Sequence, residues 1–196
     1  MLTLSLEFDR ARFLSEYWQK KPVVLRNLLP DFEDPLTPEE LAGCACEDQI
    51  ESRLVCEDHS GAFSLQHGPF SEKDFTSLPK THYTLLVQAM DQWFDEVATL
   101  KSAFDFIPSW RVDDVMISYA SEHGGVGPHF DNYDVFLIQG LGQRRWRLGQ
   151  SCSETTPLRE HSPLRLIEDF ETTQEFILNP GDVLYVPPRV AHWGEA

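Results

Sequence analysis

The most informative part of the sequence is the stretch Gly127-Pro-His-Phe-Asp-Asn-Tyr-Asp-Val-Phe-Leu-Ile-Gln139, which predicts both a strand and a metal site. It follows glycines and is rich in aromatic and β-branched residues, so it predicts a strand that begins after a turn. Side chains at positions i and i+2 of a strand point to the same face. We therefore expect His129 and Asp131 to lie on one face, where an imidazole and a carboxylate can bind the same metal ion.

His192 is the candidate for a third ligand. It follows the stretch Asn179-Pro-Gly-Asp-Val-Leu-Tyr-Val-Pro-Pro188, which predicts a tight turn, a short strand and a second turn. Two histidines and one carboxylate leave coordination positions open, the arrangement typical of non-haem iron(II) oxygenases. The remaining histidines lie in predicted loops or in structural positions, and we do not expect them to be ligands: His59, His67, His82, His123 and His161.

The pattern of predicted secondary structure changes near residue 110. Before that point, helices are predicted at residues 9–20, from residue 37 onward and at 93–104, with short strands between them. After it, strands alternate with glycine and proline turns and predict an antiparallel β-barrel. The predicted strands of this part cover residues 112–119, 127–139, 144–148, 176–178 and 183–186. We divide the chain into a mixed α/β part at residues 1–90 and a β core at 91–196.

Composition restricts the partners. The net charge is −16, from 32 acidic and 16 basic residues, so the chain should repel nucleic acid and attract a basic protein. No apolar run is long enough for a membrane span, and the first residues do not resemble a secretory signal. The four cysteines contain no CxxC pair and are expected to be free thiols of a cytoplasmic protein.

Several motifs together resemble one family. The chain is similar to the JmjC-type ribosomal oxygenases of the cupin superfamily, and most similar to the bacterial ribosomal-protein arginine hydroxylases. The motifs run in order along almost the whole chain: Tyr-Trp-Gln-Lys-Lys-Pro-Val-Val-Leu25, His-Gly-Pro-Phe70, Trp-Arg-Val-Asp-Asp-Val-Met-Ile-Ser118, Gly-Gly-Val-Gly-Pro-His-Phe-Asp131, Tyr-Asp-Val-Phe-Leu-Ile-Gln-Gly140, Arg-Arg-Trp-Arg147 and Pro-Gly-Asp-Val-Leu-Tyr-Val-Pro-Pro188.

The resemblance implies a double-stranded β-helix, or jelly roll, that binds iron(II) and uses 2-oxoglutarate and dioxygen as co-substrates. It also implies the reaction, which is hydroxylation at the β-carbon of an arginine in the sixteenth protein of the large ribosomal subunit. The expected partner is therefore a basic ribosomal protein, with no direct contact to nucleic acid or membrane. Members of the family form homodimers.

The resemblance also assigns residues outside the metal site. Arg144 matches the basic residue that holds the distal carboxylate of 2-oxoglutarate, and Ser118 matches a hydroxyl that assists it. A serine in a strand is equally well explained by a hydrogen bond to the backbone. Tyr133 and Asp114 are candidates for contacts with the substrate, and no catalytic residue is expected beyond the metal ligands.

Two features depart from the family pattern. Arg189 stands where relatives usually have glycine, and the chain ends four residues after His192. A further core strand, a helical dimerisation region and a winged-helix-like domain would follow in the family, so we expect a barrel truncated after the third ligand. Three alternatives stay open: a histidyl hydroxylase of another ribosomal protein, a zinc or nickel cupin, and a truncated metal-binding cupin without catalytic activity.

Overall fold

The computed structural model describes residues 3–196 and is mainly β, as predicted. In the described part of the chain the helices are α1 Arg10–Glu16, α2 Pro38–Cys44, α3 Glu72–Thr76 and α4 Asp95–Ser102, with short 3-10 helices at Met90–Gln92 and Ser109–Arg111. The strands are β1 Val23–Leu25, β2 Ser52–Glu57, β3 Phe63–His67, β4 Tyr83–Val87, β5 Ile117–Ala120, β6 Val135–Ile138, β7 Arg144–Ser151, β8 Gln174–Leu178, β9 Val183–Val186 and β10 Val190–Glu195.

The first compact unit covers residues 34–125 and contains one antiparallel sheet in the order β3-β2-β4-β5. Helix α2 begins with the predicted capping box. The Thr37 hydroxyl accepts a hydrogen bond from the Glu40 amide at 3.2 Å, and the Glu40 carboxylate accepts one from the Thr37 amide at 2.8 Å. These two bonds give partners to amides at the start of the helix, which have no hydrogen-bond acceptor within the helix itself.

The second unit covers residues 3–33 and 126–196 and contains two antiparallel sheets, in the orders β1-β9-β6 and β10-β7-β8. Side chains from both sheets meet in one apolar cluster, which consists of Trp146, Leu148, Leu178, Leu184 and Val186. On the opposite face of β9, the buried Phe13 of helix α1 packs against Tyr185, with the two rings 5.0 Å apart in an edge-on contact. Two sheets that share one core are what the alternating strands and turns predict.

The prediction of a strand at residues 127–139 is wrong for residues 127–134. Regular pairing begins only at Val135, and His129 forms a single bridge with His192. The intervening segment is held by side-chain bonds instead, because the Asp134 carboxylate accepts a 2.5 Å bond from the Tyr185 hydroxyl. The predicted strand at 112–119 likewise begins later, at Ile117, since the Val115 amide is bonded to the Asp91 carboxylate at 2.8 Å.

Strand β10 is absent from the sequence prediction, although it contains His192. Its sequence, Val-Ala-His-Trp-Gly-Glu195, has little β-branched character, but it pairs with β7 along its length. Tertiary pairing here prevails over weak local propensity.

The two compact units do not coincide with the predicted parts 1–90 and 91–196. Strand β5 pairs with β4 in the sheet of the first unit, while residues 3–33 belong to the second unit through the pairing of β1 with β9. The division into domains stays a prediction. Within residues 3–196, no helix is both long and apolar enough to cross a membrane.

Candidate metal centre

The backbone brings the two predicted histidine ligands side by side. The His129 amide donates to the His192 carbonyl at 3.0 Å, and the His192 amide donates to the His129 carbonyl at 2.8 Å. Directly paired residues of antiparallel strands have side chains on the same face. The two imidazole rings therefore lie together, with their centroids 4.3 Å apart.

Each imidazole is oriented by the same local bond. The Nδ1 atom of His129 donates to the carbonyl of Gly127, and Nδ1 of His192 donates to the carbonyl of Val190, both at 2.9 Å. A carbonyl can only accept, so each ring has a proton on Nδ1, and in the neutral form of the ring the lone pair is on Nε2. Both rings thus present the tautomer in which Nε2 can bind a metal, and each has the outer hydrogen bond that usually fixes a metal-binding histidine.

Asp131 completes the group. Its Oδ2 atom lies 3.5 Å from Nε2 of His192, and one ligand atom from each of the three residues lies within 4.8 Å of the other two. The backbone of Asp131 is held in turn, because its carbonyl accepts a 2.7 Å bond from the amide of Arg189. Three donor groups this close together can bind a single metal ion.

Burial keeps His192 neutral. The side chain is almost fully enclosed, and this desolvation, together with the neighbouring His129, lowers the pKa of His192 to about 3, while the bond to the Val190 carbonyl acts in the opposite direction. Protons therefore do not compete for its Nε2 atom near neutral pH. Two imidazoles and one carboxylate match the donor set of non-haem iron(II) sites.

Arg144 lies in the same unit, on β7. The side chains of this strand alternate, so Arg144 is half-buried on the side of Trp146 while Arg145 is exposed, as the sequence predicts. Desolvation lowers the pKa of the Arg144 guanidinium. Within residues 3–196 this guanidinium has no hydrogen-bonded or ionic partner, and its Cζ lies 5.9 Å from the Trp146 ring centre. A half-buried guanidinium of this kind can bind the carboxylate of a ligand by donating hydrogen bonds to it.

The other predicted site residues have different surroundings. Ser118 is half-buried on β5 of the first unit, where it is paired with Leu86. The Asp114 carboxylate, in the same unit, accepts bonds from the Gln88 side chain at 2.6 Å and from the Ala89 amide at 3.0 Å. Tyr133 belongs to the second unit and is 65% exposed. The functional roles of these three residues stay predictions.

Sequence reasoning missed two residues beside the centre, Trp146 and Gly194. The ring of Trp146 lies 5.9 Å from that of His192, and Gly194 faces the same indole. The alternation of Arg144, Arg145 and Trp146 in a strand was a usable signal, because it places the tryptophan on the side of Arg144. Gly194 could not be found in this way, since the strand that contains it was not predicted.

The fold and the three converging side chains define a class. Residues 99–196 match the JmjC domain family, and the chain belongs to that family. This confirms the resemblance and the jelly-roll fold expected from it.

Individual relatives are closely similar. The ribosomal protein uL16 3-hydroxylase of Escherichia coli is 46% identical over 187 residues, which are 94% of this chain and 48% of the relative. A crystal structure of E. coli YcfD superposes with a TM-score of 0.92 at 43% identity, over 100% of this chain and 51% of that one. The complex of YcfD, a ribosomal oxygenase, with cobalt and 2-oxoglutarate gives a TM-score of 0.88 at 43% identity, over 100% and 50% of the two chains. The chain thus spans about half the length of the relatives it matches.

Proposed function

We propose that this chain is an iron(II)- and 2-oxoglutarate-dependent oxygenase, in which His129, Asp131 and His192 hold the metal. The observation that carries the proposal is the convergence of one ring nitrogen from each histidine and one carboxylate oxygen, all within 4.8 Å of one another. Three protein ligands of this kind leave positions for a keto acid and for dioxygen. The relationship to a ribosomal oxygenase whose structure contains cobalt and 2-oxoglutarate supports the same cofactors here.

Each residue of the site would have a distinct task. The histidines and Asp131 would fix the metal, and Arg144 would receive the distal carboxylate of 2-oxoglutarate in a bidentate contact. Iron(II), 2-oxoglutarate and dioxygen together supply the oxidising power that an unactivated C–H bond requires. For Ser118 as an aid to keto-acid binding, the support is its motif alone.

The proposed substrate is an arginine side chain of the sixteenth protein of the large ribosomal subunit, hydroxylated at its β-carbon. A 46% identical relative that acts as a uL16 3-hydroxylase supports this substrate, and the net charge of −16 suits a basic ribosomal protein. Tyr133 is the better candidate for a contact with the substrate, because the carboxylate of Asp114 already accepts two hydrogen bonds. The proposed location is the cytoplasm, where a protein of the ribosome would be available as substrate.

The test is a turnover assay on the whole chain. Protein purified without oxygen is supplied with iron(II), and conversion of 2-oxoglutarate to succinate is followed with and without a peptide that contains the ribosomal arginine loop. We expect the peptide to stimulate turnover and to gain one oxygen atom by mass spectrometry, and we expect Asp131→Ala to abolish both. Failure of the wild-type chain to bind iron(II) and 2-oxoglutarate would contradict the proposal.

A second peptide separates the hydroxylase alternatives. A ribosomal peptide with a target histidine, assayed in parallel, should stay unmodified. Modification of that peptide in place of the arginine peptide would keep the iron chemistry and overturn the proposed substrate.

A further inference from the structure

One buried aromatic ring contacts both halves of the proposed site. Trp146 is the third residue of β7 and is only 6% exposed. The centre of its ring is 5.9 Å from that of His192, a proposed metal ligand, and 5.9 Å from Cζ of Arg144, the proposed partner of the distal carboxylate. The indole is therefore shared between the metal end and the carboxylate end.

The neighbouring strand makes room for this ring. Gly194 is the residue of β10 paired with Trp146, two positions after His192. A Cβ atom added to Gly194 would come within 2.7–2.8 Å of three atoms of the indole, closer than real contacts allow. The strand that supplies the metal ligand thus has no side chain at the point where the tryptophan lies.

Arg144 needs such a neighbour. No carboxylate or carbonyl in residues 3–196 fixes the direction of its guanidinium, so packing must do so. An indole face attracts a guanidinium through its quadrupole, and the attraction is stronger where water is excluded. Contact with the indole would hold the guanidinium of Arg144 in place before the carboxylate of a ligand binds to it.

We propose that Trp146 is a positioning residue that fixes the guanidinium of Arg144 relative to His192, so that a dicarboxylic keto acid can span from the metal to Arg144. The inference rests on the proposed function and deepens it. It assigns to Trp146 the selection of keto acids with a second carboxylate. A keto acid with the same metal-binding end but no distal carboxylate gains nothing from this arrangement.

The test compares two keto acids on the cobalt(II)-loaded chain. The affinities for 2-oxoglutarate and for 2-oxobutanoate are measured by titration in wild type, Trp146→Phe and Trp146→Leu. The matched control is Phe176→Leu, because Phe176 packs against the same apolar cluster and is paired with Trp146 across β7 and β8. Circular dichroism and thermal melting show which variants are folded.

We expect Trp146→Leu to weaken 2-oxoglutarate binding by about 3- to 30-fold, with a smaller loss in Trp146→Phe, which retains an aromatic face. Binding of 2-oxobutanoate should change little in either variant, and Phe176→Leu should leave the ratio of the two affinities at its wild-type value. A purely structural role would weaken both keto acids together.

Three results would overturn the inference: equal losses for the two keto acids, unchanged 2-oxoglutarate binding in Trp146→Leu, or the same selective loss in Phe176→Leu. The wild-type titration separates this failure from that of the proposed function. If the cobalt-loaded wild type binds no 2-oxoglutarate, both are wrong, whereas wild-type binding with an unselective Trp146 variant contradicts only the role of Trp146.

Discussion

Asp131 differs from the two histidines in the charge that it brings to the candidate centre. The two histidines can bind a metal only through neutral nitrogen atoms, so Asp131 is the one ligand of the three that compensates the charge of a divalent ion. Loss of an outer hydrogen-bond partner already reduces metal affinity about 10- to 100-fold in such sites. Removal of a charged ligand should have a larger effect.

We therefore expect Asp131→Asn to weaken cobalt(II) or iron(II) binding by more than about 100-fold, as measured by titration calorimetry, while the far-ultraviolet circular dichroism stays that of the wild type. The control is Asn132→Ala, because Asn132 is the exposed next residue. Undiminished metal binding by Asp131→Asn would exclude this carboxylate as a ligand.

Arg189 has a backbone conformation that arginine adopts with difficulty. Its φ is +64°, in the left-handed region, and its amide and carbonyl are both used, by Asp131 at 2.7 Å and by the amide of Cys152 at 2.7 Å. A non-glycine residue in this region loses about 1–2 kcal/mol, whereas glycine loses about 0.5–1 kcal/mol more chain entropy on folding than alanine.

The net expectation for Arg189→Gly is a gain of about 0.5–1 kcal/mol in the free energy of unfolding, measured by urea denaturation. Arg189→Ala is the matched control, since it removes the exposed side chain and its 3.7 Å contact with Glu154 but keeps the unfavourable φ. Equal stabilities of the glycine and alanine variants would show that the backbone is relaxed at this position.

At the scale of single residues, the sequence predicted features that depend on residue type and on the alternation of side chains between the two faces of a strand. The residues His129, Asp131 and His192 were recognisable as donors, and Arg144 and Arg145 were assigned to opposite sides correctly. The hydrogen bonds of Asp114 were not predictable. They depend on Gln88 and Ala89, which are distant in sequence and are placed by a turn with positive φ at Ala89.

Among the structural elements, the turn between β8 and β9 has an electrostatic requirement of its own. The buried Asp182 carboxylate accepts bonds from the amides of Asn27 at 2.8 Å and Asn179 at 3.0 Å and from the Arg26 guanidinium at 2.6 Å. Burial alone would raise the pKa of Asp182, but these donors outweigh it and hold the pKa below its usual value. Through these hydrogen bonds the turn holds the residues that follow β1 against the start of β9.

The sign of the pH dependence follows. As pH falls, the unfolded chain takes up a proton on Asp182 before the folded chain does, so the stabilisation is fully present above about pH 4 and is lost below it. We expect Asp182→Asn to lower the free energy of unfolding by about 2 kcal/mol at pH 7, with a smaller difference from wild type near pH 3. Exposed Asp31→Asn is the control. A difference that is independent of pH would contradict the ionised role.

Elements were predictable where local patterns agree with tertiary pairing. The Thr37 capping box and the alternation in β7 are local signals, and both are confirmed. Strand β10 and the late start of β6 were missed because both depend on partners far along the chain. The pairing of His192 with His129, and of β10 with β7, imposes an extended conformation that the residues at 190–195 do not favour by themselves.

For the molecule as a whole, the dominant feature is its charge. With a net charge of −16, it attracts a basic peptide over distances comparable to the Debye length, which is about 10 Å at 0.1 M salt. Such attraction accelerates encounter and weakens as salt is added, whereas contacts at the reacting residue itself are less sensitive. The proposed ribosomal substrate therefore makes salt dependence a diagnostic of recognition.

We expect the KM for the basic ribosomal peptide to rise several-fold, up to about tenfold, between about 0.05 M and 0.3 M sodium chloride, with kcat nearly constant. A control peptide keeps the target arginine but has glutamine in place of its other basic residues. Its KM should be higher at low salt and nearly independent of salt. If both peptides respond alike, salt acts on the site and not on the approach of the substrate, and the acidic surface has no part in recognition.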